Sequence, residues 1–327
     1  MRTPILVTGA LGQIGAELVP ALRERYGADR VVASDIRIVP RSELFGDGPF
    51  EFLDTTKAKR IEEVVRRYDI GTIYHLAALL SAVAEEKPQV AWDLNMGGLY
   101  RVLEVARQHR CAVFVPSSIG AFGPNTPKER TPQDTIQRPT TMYGVTKVAG
   151  ELLCDYYHLR FGLDTRGVRF PGLISHAAPP GGGTTDYAVD IFHAAVRHGR
   201  YTCFLRQGTS LDMMYMPDAI KAMIDLMEAD EARLVHRNAF NVTAMHFTPE
   251  VLAAEIGKRV PGFTMDYAVD PVRQAIADSW PDSLDDSAAR EEWGWSPDYD
   301  LPAMVDDMLA NLRRKLQPAE AAEAARS

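Results

Sequence analysis

Tyr143 and Lys147 stand four residues apart in Tyr143-Gly144-Val145-Thr146-Lys147, with Ser118 upstream. On a helix this spacing projects both side chains from one face, about one turn apart, so both reach one small volume beside a bound ligand. A free tyrosine hydroxyl has a pKa of about 10 and is a poor base near neutrality, but a neighbouring ammonium favours the phenolate. Lys147 would supply that charge. A serine hydroxyl both donates and accepts, so Ser118 could hold a substrate alcohol while Tyr143 takes its proton. The trio reads as a device for oxidising a carbinol. The alternative is a surface aromatic beside a solvated lysine, and the surrounding elements must decide between them.

Those elements begin with Ile5-Leu6-Val7, an apolar run ending in Thr8-Gly9-Ala10-Leu11-Gly12-Gln13-Ile14-Gly15, after which Leu18, Val19 and Leu22 recur at helical spacing. The pattern predicts strand, glycine turn and helix. Gly9 permits the turn, Gly12 lets backbone approach a pyrophosphate, Gly15 lets helix pack on strand, and the helix N-terminus binds the negative charge. A second strand delivers Asp35, placed to accept hydrogen bonds from both adenosine ribose hydroxyls and to repel a 2'-phosphate. NAD is therefore expected over NADP, with Arg37 positioned to soften that repulsion. Leu53 and Asp54 leave a third strand; Asp54 either meets the adenine amino group or caps the following helix.

Residues 72–78 form a fourth strand running into Leu76-Ala77-Ala78, small enough for a dinucleotide to lie against. His75 reads as a hydrogen-bonded core residue rather than a catalytic one. Ser81 faces the substrate or caps a turn. A long helix over 90–109 carries Asn95, which orients the lysine through water or bonds a strand carbonyl. The fifth strand, 112–115, delivers Pro116-Ser117-Ser118 at its C-terminal end, where ligands gather in open parallel sheets. A polar loop at 131–139 precedes the Tyr143 helix, and a sixth strand spans 164–170 before Pro171. Candidate cofactor contacts are thus Gly9, Gly12, Gln13, Ile14, Gly15, Asp35, Leu53, Asp54, Leu76, Ala77, Ala78, Asn95, Tyr143, Lys147 and Pro171. The alternation predicts an α/β fold, a doubly wound parallel Rossmann sheet with a smaller C-terminal α/β lobe.

The 327 residues, 46% hydrophobic, can bury a sizeable core, and a division into residues 1–171 (cofactor and trio), 172–317 (mainly substrate lobe, some segments returning to the sheet) and a frayed 318–327 is expected. A net charge of -8 with a pI near 5.5 argues against nucleic acid. No apolar run is long enough to span a bilayer and no basic, apolar leader precedes the first strand, so a cytoplasmic enzyme is expected, or a matrix one with a trimmed import segment. Cys111, Cys154 and Cys203 lack metal or disulfide spacing and read as reduced, packed thiols. No metal is expected.

Beyond residue 171 a glycine- and proline-rich loop at 177–183 leads through Thr184-Thr185-Asp186-Tyr187 into a helix to His198, a layout that often closes over substrates. Met213, Met214 and Met216 read as core packing. Further helices are expected at 248–258, 270–278 and 300–316, with Trp280 walling the pocket or packing beneath it.

The glycine motif, Asp35, Ser118 and the Tyr143–Lys147 pair follow the order and spacing of the extended short-chain dehydrogenase/reductase family, which the chain resembles over nearly its whole length. Residues 116–124, 141–147, 183–188 and 213–219 look like the group of that family acting as L-threonine 3-dehydrogenases. The resemblance implies NAD-dependent oxidation of the L-threonine 3-hydroxyl to 2-amino-3-oxobutanoate in threonine catabolism. It makes Tyr143 the base, Lys147 the partner of the nicotinamide ribose and of Tyr143, and Ser118 the holder of the reacting hydroxyl. It also suggests Ser81, Thr184, Thr185 and Trp280 as substrate shell, with 181–185 closing on binding. A homodimer through the Tyr143 helix and the long helix before it is implied, as is coupling to a 2-amino-3-ketobutyrate CoA ligase.

Two rivals remain. A nucleotide-sugar epimerase or dehydratase shares fold, cofactor and pair, but needs cationic groups for a diphosphate, and between Ser175 and Met216 stand only Arg197, Arg200 and Arg206 besides histidines. A catalytically silent NAD-sensing protein that binds partners predicts a degraded trio, whereas Ser118, Tyr143 and Lys147 are all present.

Overall fold

The computed structural model describes residues 1–38, 47–177 and 182–324. Most of the loop expected at 177–183 therefore lies outside the described residues, Gly181 included. The chain enters a parallel sheet at β1 (Ile5–Thr8), turns into α1 (Gly15–Tyr26) and continues through β2 (Val31–Asp35), β3 (Phe50–Phe52), α2 (Ala58–Tyr68) and β4 (Thr72–His75). The short α3 (Ser81–Glu86) and long α4 (Pro88–His109) lead to β5 (Ala112–Phe114) and β6 (Ser117–Ser118), and α5 (Met142–Phe161) leads to β7 (Thr165–Arg166). The six strands lie in the order β3-β2-β1-β4-β5-β7, all parallel. Strand order reverses between β1 and β4, and the crevice beyond their C-terminal ends is where such sheets bind ligands. The expected doubly wound α/β sheet is present.

Period-two alternation divides the core. Ile5 and Val7 pack with Leu18, Val19 and Leu22 of α1, while Leu6 packs on the opposite face with Ile61 and Val64 of α2 and Leu99 and Val102 of α4. Each of these side chains is buried and contributes roughly 1.5–3 kcal/mol.

The single strand expected at 164–170 is two strands in different sheets. β7 completes the large sheet, whereas β8 (Val168–Phe170) pairs with β6. Gly167 lies at the break, so close to the Val115 carbonyl oxygen that a Cβ there would collide with it. β9 (Gly172–Ile174) follows at once, then α6 (Tyr187–His198), β10 (Arg200–Cys203), β11 (Leu211–Tyr215) and α7 (Met216–Glu228). Ala219, Ala222 and Met223 of α7 return to the β1 face of the large sheet, with Met214 and Met216 in the same core. The methionines pack, as expected.

β12 (Phe240–Asn241) pairs with β8, β13 (Met245–Phe247) with β11, and β14 (Thr264–Tyr267) with β10; α8 (Pro249–Gly257), α9 (Pro271–Asp278), α10 (Ser287–Trp293) and α11 (Leu301–Ala324) complete the chain. α6, α8 and α11 enclose a second core around Phe192, Leu252, Met304 and Met308. α11 continues past the expected residue 316 through a run of alanines and glutamates, strong helix formers. α3 and α10 were not expected, because six or seven residues are too few to show helical periodicity.

Candidate active site

The glycine turn is held by close backbone approach. Gly9 has φ 70°, and a Cβ there would stand 2.8 Å from the Ala77 amide nitrogen, so the turn leans on the end of β4. A Cβ on Gly15 would lie 2.5 Å from the Gly9 carbonyl oxygen and 2.6 Å from Ala10 Cα, so only glycine lets α1 start against β1. A Cβ on Gly12 would meet only the Gly9 carbonyl, at 3.2 Å, and otherwise open space. A pyrophosphate fits that open face at the start of α1, which is the cradle a dinucleotide requires. The Leu11 amide donates to Asp35 Oδ2 at 3.1 Å, tying turn and acid together. Arg37 already engages Asp35, its amide at 2.9 Å and Nε at 3.1 Å from Oδ1.

The trio comes together at the mouth of the sheet. Ser118 ends β6, and its Oγ accepts the Gly120 amide at 3.1 Å, capping a 3-10 turn. A Cβ placed on Gly120 would lie 3.0 Å from Tyr143 Cε1 and 3.5 Å from Ser118 Oγ, so the two side chains flank one spot. Thr141 caps α5 by accepting the Gly144 amide at 3.1 Å, which starts the helix one residue before Tyr143. Lys147 Nζ stands 5.3 Å from the centroid of the Tyr143 ring and donates to the Pro116 carbonyl at 2.7 Å. Asn95 bonds the backbone of the loop after β4, not a strand carbonyl: its Oδ1 accepts the Leu79 amide at 2.8 Å and its Nδ2 reaches the Leu79 carbonyl and Thr146 Oγ1, both at 3.2 Å. It therefore pins that loop to α5.

An open cleft with about 1100 Å³ of empty space, part of it continuous with solvent, gathers Gly9, Gly12, Gln13, Ile14 and Gly15 with Leu76, Ala78, Ser81, Ser118, Tyr143, Lys147, Pro171, Thr184, Thr185 and Trp280. Asn95 and Ala77 line a smaller adjoining cavity behind Lys147. Asp35, Leu53 and Asp54 are not among the residues lining the cleft. Leu53 is buried against α2, and Asp54 Oδ1 accepts the Thr56 amide at 2.8 Å, capping the approach to α2. Trp280 is 6% exposed and both walls the cleft and packs in the second core. Asp186, missed in the sequence, also lines the cleft; it accepts the Gly182 and Gly183 amides at 2.7 Å, and burial pushes its carboxyl up. Gly183-Thr184-Thr185-Asp186 carried the signal, as a residue three places after an extended glycine can cap its amide.

His75 is buried and bonded to Thr8 Oγ1 at 2.9 Å, as a core histidine should be. Burial, reinforced by the charge of Lys147, pushes its imidazole down to about 4. The unfolded chain takes up this proton near pH 6.5, the folded chain only near 4. The stability contributed by neutral His75 is thus full above about pH 6.5 and is lost as pH falls towards 4, by roughly 3 kcal/mol. In His75→Gln the acid limb of the thermal midpoint should flatten across that window; a limb as steep as in the native chain would place its origin elsewhere.

Similarity to known proteins agrees with this geometry. The sequence pattern of the NAD dependent epimerase/dehydratase family matches residues 5–243. An uncharacterized epimerase/dehydratase of Staphylococcus haemolyticus is 59% identical over 313 residues, covering 96% of this chain and 98% of the relative. The L-threonine dehydrogenase of Clostridium difficile superposes with a TM-score of 0.94 at 58% identity, over 95% of this chain and 98% of that one. A monomeric L-threonine 3-dehydrogenase from a metagenome superposes with a TM-score of 0.91 at 47% identity, over 95% and 99% of the respective chains. With a dinucleotide cradle, a parallel sheet in Rossmann order and that pattern over most of its length, the chain belongs to the NAD dependent epimerase/dehydratase family, as an oxidoreductase that binds NAD.

Proposed function

We propose that the chain oxidises the 3-hydroxyl of L-threonine to 2-amino-3-oxobutanoate. The observation that carries this reading is the meeting of Ser118, Tyr143 and Lys147 with Ser81, Thr184, Thr185 and Trp280 on one cleft. Ser118 holds the substrate hydroxyl, and Tyr143 as phenolate accepts its proton as the carbonyl forms. Lys147 stabilises that phenolate and holds the nicotinamide ribose, and Asp35 holds the adenosine ribose. Bound NAD supplies the acceptor for the hydride leaving C3. Hydroxyls of Ser81, Thr184 and Thr185 orient the substrate carboxylate and ammonium, with Trp280 excluding water.

Lys147 is the one lysine or arginine lining the cleft among the described residues. A sugar diphosphate would want more: Arg206 is exposed and paired with Asp278 at 3.2 Å, and neither Arg197 nor Arg200 lines the cleft. This favours an amino acid over a nucleotide sugar. The deciding experiment mixes the purified protein with NAD at mildly alkaline pH and follows NADH absorbance with L-threonine, L-allo-threonine, L-serine and UDP-glucose. Threonine-dependent NADH supports the reading; tight NAD binding without it sinks the reading and favours the sugar chemistry or the silent sensor. The product would be consumed by a CoA-dependent ligase.

Residues 1–171 would form the cofactor half and 172–317 mainly the substrate half, α7 returning to the first. A homodimer through α4 and α5 is supported by their exposed apolar side chains: Trp92, Tyr100, Leu152, Tyr156 and Leu159 are each 46% exposed or more. Isolated exposed apolars are ordinary, but five on two neighbouring helices offer a surface that a second copy would cover. Leu152→Glu with Leu159→Glu should halve the mass seen by light scattering; a native chain already monomeric at micromolar concentration would exclude the dimer.

A further inference from the structure

Beneath the trio lies a buried ion pair that the chemistry above does not use. Glu151 is on α5, one turn beyond Lys147, and Arg169 is on β8; their side chains are 6% and 7% exposed. Arg169 Nε and Nη2 donate to the two Glu151 oxygens at 3.1 and 2.9 Å in a fork. Gln137, in the loop entering α5, donates to Glu151 at 2.7 Å, and the Ser117 hydroxyl donates to it as well. The other guanidinium nitrogen, Nη1, donates to the Gln133 carbonyl at 2.8 Å and to Asn241 Oδ1 at 3.1 Å, and Cζ lies over the Phe122 ring, 5.1 Å from its centroid. Asn241 passes the chain of bonds to the carbonyls of Thr131 and Asp285, the latter five residues beyond Trp280.

Each segment tied here carries or adjoins a residue of the cleft. Ser117 precedes Ser118 on β6, Glu151 shares α5 with Tyr143 and Lys147, and Arg169 is two residues before Pro171. Burying two charges costs desolvation that only complete partnering offsets, and apolar residues of similar volume often hold a fold as well. The pair is therefore poorly explained by stability alone. Its bonds are directional, however, and a displacement of about 1 Å at a reacting group can cost about 100-fold in rate.

We propose that the buried Glu151–Arg169 pair, acting through Ser117, is the positioning device that sets Ser118 against Tyr143. This rests on the oxidation reading above, and the test separates the two. In the full chain with NAD, Ser117→Ala cuts the strut to β6 and leaves the pair itself bonded to Gln137. Its kcat should fall about tenfold, with KM and NAD affinity within about twofold and a thermal midpoint lowered by only a few degrees, as one hydrogen bond to a buried carboxylate is lost. Ser117→Thr, which keeps the hydroxyl, should recover most of the loss. Glu151→Met with Arg169→Met should keep the thermal midpoint within a few degrees and lose about 100-fold in kcat. Unchanged kcat in Ser117→Ala overturns the proposal, also where the double variant does not fold. If the native chain makes no NADH from threonine, the functional reading has failed. Crystal structures of the native chain and Ser117→Ala with NAD then decide: a shifted Ser118 supports the proposal, and an unmoved one overturns it.

Discussion

Tyr143→Phe is expected to lower kcat for threonine oxidation by about 10²–10⁴-fold while leaving NAD affinity within about twofold. Removing one oxygen from a side chain 9% exposed leaves its ring against Gly120 and the Lys147 ammonium, so the helix and cleft keep their shape. What disappears is the hydroxyl that, in the proposed reaction, takes the alcohol proton beside Ser118. A base that acts as carbon–oxygen double-bond character develops contributes chiefly in the transition state, so kcat and kcat/KM should fall together while KM stays near its native value. Isothermal titration with NAD and steady-state kinetics check both halves. A large loss of NAD affinity, or a rise in KM with kcat intact, would remove Tyr143 from the base role.

The second large effect is expected at Gly15. A methyl there would meet the Gly9 carbonyl oxygen at 2.5 Å, Ala10 Cα at 2.6 Å and Ala10 C at 2.7 Å, all backbone, so nothing can rotate away. Gly15→Ala must move α1 off β1, at a cost of about 3 kcal/mol, and carry the helix N-terminus away from the pyrophosphate. NAD affinity should drop by about 100-fold or more, and the thermal midpoint should fall even without cofactor. Gly12→Ala is the control: its methyl meets a single protein atom at 3.2 Å, so the midpoint should barely move while NAD binding is blocked by the filled cradle. Equal midpoints for both variants would show that Gly15 is not a packing glycine. Thermal melts with and without NAD separate the two outcomes.

The parts of this protein that its sequence alone determined are those written in short-range periodicity. The unbroken apolar run Ile5-Leu6-Val7 marks β1 as a strand, and because successive side chains point to opposite faces, its residues enter two cores. The glycine spacing predicts strand, turn and helix because Gly15 answers a clash with Gly9 and Ala10, only a few residues away, whereas the close approach of Ala77 to Gly9 comes from the end of β4 and has no local signature. Tyr143 and Lys147 share a face because both belong to one helix. Tertiary structure decided everything that depends on residues meeting across long separations. Residues 164–170 look like one strand, but Gly167 passes under Val115 and the chain changes sheets there. Ser118 reaches Tyr143 only because β6 follows β5 out of the sheet and α5 returns over it, while Trp280 arrives from the far end of the chain. Glu151 and Arg169 bear no local signature at all. A charge destined for burial has the same letter as one destined for solvent, and only the partners that converge on it, Ser117, Gln137 and Asn241 among them, make the buried position possible.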